Sequence, residues 1–214
     1  MNAVEIIIVC ITAYLLGSIP SAVWIGKAFH NIDVREHGSG NAGATNTIRV
    51  LGWKTGIPVL LIDLAKGWTA TMLPVFFGIA PHGSIALVNM QIAAGLIAIL
   101  GHVFPIFAGF RGGKGVATVF GALLAIHPLL TLSCIGVFLL VFFATGIVSI
   151  ASMIAGIGFP VMLIFFYGTN SVLFRIFSVF VAIALLITHR KNIGRLMRGE
   201  EKRLISFKRK KTTP

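Results

Sequence analysis

The sequence predicts an all-α integral membrane protein of about seven transmembrane helices, and three observations predict it. Hydrophobic residues make up 57% of the 214-residue chain and charged residues only 11%, with a mean hydropathy of +0.95. A soluble domain of this length needs far more polar surface to meet water. The hydrophobic residues also come in long runs, as a bilayer core demands. Finally, 18 Lys and Arg face only six acidic residues, and those cations collect in connections that would share one side of a membrane.

The first run, MNAVEIIIVCITAYLLGSIPSAVWIG, has Glu5 as its early charge and no basic n-region or small-residue cleavage site. It reads as a retained spanning helix over roughly 4–26 and not as a cleaved signal peptide. Further spans follow over roughly 56–79, 85–103, 115–128, 129–146, 150–167 and 171–188, with the fourth and fifth divided at His127-Pro128. Several are shorter than the ~20 residues of a straight crossing, so they are tilted, broken or re-entrant. The stretch FPIFAGF, with Pro105 and Gly109, reads as a re-entrant dip. Cys10 and Cys134 sit inside apolar runs with no CxxC or His-rich neighbourhood, which makes them packing residues.

Charge sets the expected orientation. The connection 27–55 carries Lys27, Arg35, Arg49 and Lys54; the connection 104–114 carries Arg111 and Lys114. The tail from His189 is dense in Lys and Arg, ending in KRKK at 208–211. The alternate connections, near 81–84, 127–128 and 167–170, contain neither residue. The N-terminus is therefore expected outside and the C-terminus in the cytoplasm, with the basic connections on the cytoplasmic face. Residues 1–214 form one membrane domain, and 189–214 its basic tail, which would meet anionic lipid headgroups. The net charge of +12 thus needs no nucleic acid, and no aromatic-interleaved basic platform is present.

The cytoplasmic connections hold the chemistry. GSGNAGATNT, 38–47, fits G-x-G-x-x-G with Gly38, Gly40 and Gly43. A dinucleotide fingerprint needs a βαβ unit around those glycines, and here membrane spans flank them. What remains is a loop of glycines with Ser39, Asn41, Thr45, Asn46 and Thr47 beside Arg49, suited to an anion. Backbone N–H nests and neutral donors bind phosphate, and arginine adds bidentate contacts. The second connection, GFRGGKGVAT, sets Gly112, Gly113 and Gly115 around Lys114. It is not a Walker A loop, because glycine follows the lysine and Ala108 takes the first glycine position. It still offers close backbone approach and an ammonium. The third element, HRKNIGRLMRGEE, puts His189 and Asn192 on one helix face. Ser149 and Ser152 in VSIAS add hydroxyls, or serve as small packing residues. Inside the second span Asp63 and Lys66 sit three apart and are expected to pair or to face a polar cavity. No metal-ligand cluster is expected, and no cofactor.

These motifs resemble those of the bacterial acyl-phosphate:glycerol-3-phosphate acyltransferase family. The resemblance runs from residue 17 to about 201, through GSIPSAVWIGK and DVREHGSGNAGATNTIRVLG, then GHVFPIFAGFRGGKGVAT, then HRKNIGRLMRGEE. It implies a seven-helix membrane fold and acyl transfer from acyl phosphate to the 1-hydroxyl of glycerol 3-phosphate. The products would be lysophosphatidic acid and phosphate, in phospholipid synthesis. Carried over by motif, Ser39 and Arg49 fill the essential places of the first motif. Lys114 and its glycines fill the phosphate-binding place of the second, and His189 and Asn192 those of the third. Glu201 resembles the motif's structural acid, and Ser149 a substrate-contacting serine. Gly146 and Ile147 depart from the basic and aromatic residues that the family resemblance leads one to expect before that serine. None of the six histidines is followed five residues later by Asp, the pattern of acyl-CoA-dependent enzymes. A rival class is a small phosphate transporter or channel, to which broken helices and intramembrane charges are also suited. Against it stand the absence of an internal repeat and the confinement of the polar motifs to one face. The sequence sets no oligomeric state and is compatible with a monomer.

Overall fold

The computed structural model describes residues 3–205, and every regular element among them is helical. The KRKK stretch at 208–211 lies outside the described residues. Helix α1 (Ala3–Gly17) is separated from α2 (Ser21–His30) by a 41° bend. Pro20, which lacks an N–H and disfavours helix at the residue before it, explains the break. Helices α3 (Ala44–Leu51), α4 (Trp53–Phe76) and α5 (Ile85–Val103) follow, then α6 (Val116–Ile126) and α7 (Pro128–Thr145). Helix α8 (Val148–Met162) ends in a π-type turn over Leu163–Tyr167, and α9 (Val172–Thr188) bends by 57° into α10 (Arg190–Met197).

Four helical segments are long and apolar enough to cross a membrane, and six are if each bent pair counts as one. The difference from the expected seven lies in α6, whose 11 residues reach about 16 Å, half a bilayer core. Its end falls where expected. His127 caps the next helix by accepting the Leu130 N–H at 3.3 Å, and Pro128 occupies the first helical position, where a missing N–H costs nothing.

Small residues bring the helices together. A side chain at Gly67 would overlap the Thr118 carbonyl, and one at Gly121 the Leu64 carbonyl, so α4 and α6 pack backbone against backbone. An apolar core of Ile92, Leu123, Leu130, Phe159, Leu163, Phe174 and Phe177 fills the space between α5 and α9, and Cys134 is buried in it. Both cysteines are free. Outside the core, Ile7, Leu140, Phe165 and Phe166 are exposed, a surface suited to hydrocarbon and not to water. The connection 27–55 is more ordered than its glycines suggest: it contains α3, which seats Ile48 against Gly56 of α4.

Candidate active site

The first loop is folded by Asn46, which sits in the first turn of α3 and is 1% exposed. Its Oδ1 accepts from the Ser39 N–H at 2.8 Å and the Ser39 hydroxyl at 3.1 Å. Its Nδ2 donates to the carbonyls of Val34 and His37 at 2.7 and 3.0 Å. The amide is thereby saturated and holds the loop in shape. Asp33 caps the short turn before it and takes a two-point contact from Arg35, at 2.9 and 2.7 Å. Those Arg35 hydrogen bonds outweigh the opposing effect of burial, and with help from Lys27 they hold the Asp33 carboxyl far below the usual range. Arg35 also donates to the Ala108 carbonyl at 2.7 Å, tying the first loop to the second.

The second loop delivers Lys114 immediately before α6, through Gly115, whose φ of +81° strains any residue with a β-carbon. The Lys114 ammonium donates to Asn192 Oδ1. Asn192 in turn donates to Glu201 Oε1 at 2.6 Å, where the Ser149 hydroxyl also donates, at 2.9 Å. Arg195 completes the group by pairing with Glu201 Oε2 at 2.6 Å. Burial pulls the Lys114 pKa down to about 8; Glu201 opposes this, while Arg195 and Arg49 add to it. Burial raises the Glu201 carboxyl, but the hydrogen bonds from Arg195, Asn192 and Ser149 lower it further, and it ends below its ordinary value.

His189 lies just beyond α9, 3% exposed, with Nδ1 at 2.8 Å from the Leu185 carbonyl. A carbonyl only accepts, so Nδ1 carries the hydrogen and Nε2 presents its lone pair. Burial and the neighbouring Lys114 charge lower its pKa to about 4. A backbone carbonyl, and not a carboxylate, therefore orients this ring.

These groups share one cavity of about 580 Å³. Its polar end is lined by Ser39, Asn41, Thr45, Arg49, Lys114, Ser149, His189, Asn192 and Glu201. One long wall is apolar, formed by Phe120, Ile135, Phe138, Leu139, Phe142 and Phe143. The Arg49 side chain makes no ion pair or hydrogen bond with the described residues. A cationic end joined to an apolar wall suits an amphiphile with a phosphate head.

A sequence profile described as "Glycerol-3-phosphate acyltransferase" matches residues 7–199. The chain belongs to the glycerol-3-phosphate acyltransferase family. A family relative from Chlorobaculum tepidum is 43% identical over 227 residues, covering 94% of this chain and 97% of its own. One from Chlorobaculum parvum is 45% identical over 217 residues, covering 90% and 93%. The crystal structure of PlsY (YgiH), an integral membrane glycerol 3-phosphate acyltransferase, in its glycerol 3-phosphate form superposes with a TM-score of 0.82 at 37% identity. That match covers 92% of this chain and 94% of the other. The lysophosphatidic acid form of PlsY gives a TM-score of 0.79 at 36% identity over the same shares.

Of the residues expected at an acyltransferase site, Ser39, Asn41, Thr45, Asn46, Arg49, Lys114, Gly115, Ser149, His189 and Asn192 line the cavity. Gly38, Gly40, Gly112 and Gly113 do not. A β-carbon at Gly38 would strike Asn46, and one at Gly112 would strike the His102 carbonyl, so these two are places of close packing. Sequence reasoning did not single out His102, which lines the cavity with Asp63. The only signal for it is a histidine in the last turn of an otherwise apolar helix. Asp63 and Lys66 do pair, at 2.9 Å. Among the described residues no three His, Cys, Asp or Glu side chains are grouped to hold a metal.

Proposed function

We propose that the chain transfers an acyl group from acyl phosphate to the 1-hydroxyl of glycerol 3-phosphate. The products are 1-acylglycerol 3-phosphate and inorganic phosphate, in the first acylation of phospholipid synthesis. The cavity carries this reading, because it joins Arg49, whose side chain has no partner among the described residues, and the half-buried Lys114 ammonium to an aromatic, apolar wall. Membership of the family supports the acceptor.

Acyl phosphate carries its own leaving group, so the enzyme works mainly by positioning and charge stabilisation. Arg49 and Lys114 hold the leaving phosphate, with donors from the Ser39 loop. His189, Asn192 and Ser149 hold glycerol 3-phosphate. The glycerol oxygen attacks the acyl carbon, the carbon–oxygen bond to phosphate breaks, and the hydroxyl proton passes to a base. His189 Nε2 is oriented to take it; a phosphate oxygen of the substrate is the other acceptor. In the transporter reading the polar groups would be reachable from both faces, whereas here the polar lining gathers at the end of the bundle formed by α3, the start of α6 and α10.

The basic connections further support seven crossings, with α6 as a short one, the N-terminus outside, the C-terminus in the cytoplasm and the site at the cytoplasmic face of the bacterial inner membrane. The tail 189–214 then belongs to the single membrane domain, against anionic lipid.

The test is phosphate release by the purified protein in detergent, given glycerol 3-phosphate and palmitoyl phosphate. Release should need both substrates, yield lysophosphatidic acid, fail with palmitoyl-CoA and collapse in Lys114→Ala. A well-folded preparation that releases none, yet moves phosphate across proteoliposomes, overturns the reading.

A further inference from the structure

In the cavity wall, at Asp63 and His102, lies a buried polar cluster to which the reaction assigns no role. Asp63, 2% exposed, accepts from the Ser21 hydroxyl at 2.7 Å and pairs with the Lys66 ammonium at 2.9 Å. Lys66 also donates to the Ile19 carbonyl at 2.8 Å, at the break between α1 and α2. This carboxylate is thus anchored on one side by α2 and on the other by its own helix. Its remaining neighbour is His102, 6% exposed, whose Nδ1 stands 3.6 Å from Asp63 Oδ1 and has no hydrogen-bond partner. A buried ring nitrogen facing a carboxylate at that distance is one small shift from a full hydrogen bond.

The other edge of the same ring supports the second loop. The Gly113 N–H donates to the His102 carbonyl at 3.2 Å, and the Gly112 N–H to the Val103 carbonyl at 3.1 Å. A β-carbon on Gly113 would collide with His102 Nε2 and stand 2.9 Å from the carbonyl of Ala42. The imidazole is therefore wedged where the first and second loops touch, one residue before Lys114.

The geometry points to His102, held by Asp63, as a positioning residue for the Gly112–Gly113–Lys114 turn, and through it for the Lys114 ammonium at the phosphate end of the cavity. This rests on the proposed role of Lys114. Charges buried in a membrane span are retained where something needs them. Here an anchored carboxylate fixes the ring, the ring fixes the turn, and the turn aims the cation. Partners that orient the ligands of a metal cost about 10–100-fold when removed, and a residue that aims an ammonium at phosphate is expected to cost the same order.

The experiment separates the two links of that chain. Asparagine places its N–H where Nδ1 stands and can still donate to Asp63, but it gives up the edge that meets Gly113; glutamine reaches the Nε2 position beside Gly113 and gives up Asp63. Because the positioning needs both links, His102→Asn and His102→Gln should each lose about 10–100-fold in kcat/KM for palmitoyl phosphate, with unchanged thermal unfolding in detergent. A ring that merely filled space would be replaced nearly as well by the longer glutamine. Both losses should also shrink in a Lys114→Arg background, because the changes act on one cation. Wild-type kcat/KM in either amide, or effects that multiply independently with Lys114→Arg, overturn the positioning role. Wild-type protein without turnover would overturn the acyltransferase reading instead. In that case thermal stabilisation by inorganic phosphate, present in the wild type and lost in both amides, still decides the role of the ring.

Discussion

Glu201→Gln tests the polar end of the cavity most directly, because one carboxylate there receives three donors. Oε1 accepts from Ser149 at 2.9 Å and Asn192 at 2.6 Å, and Oε2 accepts from Arg195 at 2.6 Å. The Glu201 side chain is 6% exposed, so water cannot replace a lost partner. Glutamine can keep one face only. If its oxygen stays with Ser149 and Asn192, its NH₂ meets Arg195, donor against donor, and one charge-assisted hydrogen bond of about 1.5–3 kcal/mol is lost. If it turns over, its NH₂ meets the Asn192 NH₂ and that hydrogen bond, of about 1.5–3 kcal/mol to a charged acceptor, goes instead, while the Ser149 hydroxyl turns to accept. Both routes cost about 1.5–3 kcal/mol, or roughly 3–12 °C in thermal unfolding for a chain of this size. Activity should fall as well, since Asn192 is the partner of Lys114. The control is Glu200→Gln. Glu200 pairs with Arg198 on the open surface, with side chains 56% and 61% exposed, and its loss should change nothing measurable. A Glu201→Gln protein with wild-type unfolding temperature and wild-type turnover would refute the network as described.

Further outcomes follow from the same geometry. With Lys114 titrating at about 8, kcat/KM for acyl phosphate should fall as pH rises through that value, and Lys114→Arg should remove that limb while keeping residual activity. A limb unmoved by the arginine would assign it to another group. His189 takes its proton near pH 4 when folded against 6.5 when free, so stability should be complete above 6.5 and decline as pH falls across that window. His189→Gln should flatten that slope. The same variant separates two roles: lost turnover with retained glycerol 3-phosphate binding makes His189 the base, whereas lost binding makes it a substrate ligand. Gly121→Ala would push a methyl group into the Leu64 carbonyl and part α4 from α6, costing about 1–3 kcal/mol in thermal unfolding. An unchanged unfolding temperature would mean the two helices are not in backbone contact.

Composition and the long apolar runs were enough to determine an all-helical membrane chain, because hydrocarbon tolerates few other backbones. The three glycine-rich and basic motifs, with the VSIAS serine, likewise picked out residues that share one cavity: Ser39, Arg49, Lys114, Ser149, His189 and Asn192 line it although they lie up to about 150 residues apart in sequence. Short-range signals carried that much. Helix α3 was not legible, being one short segment inside a polar connection with no side-chain cap. Nor was the loop-folding part of Asn46, since Asn46 and Asn41 have the same chemistry until Ser39, Val34 and His37 are placed around one of them. Only the tertiary structure decided that Glu201 gathers Ser149, Asn192 and Arg195, and that His102 stands between Asp63 and the Gly113 turn. Hydrogen bonds and close backbone approach depend on tenths of an ångström between segments far apart in the chain, and no local pattern encodes that distance.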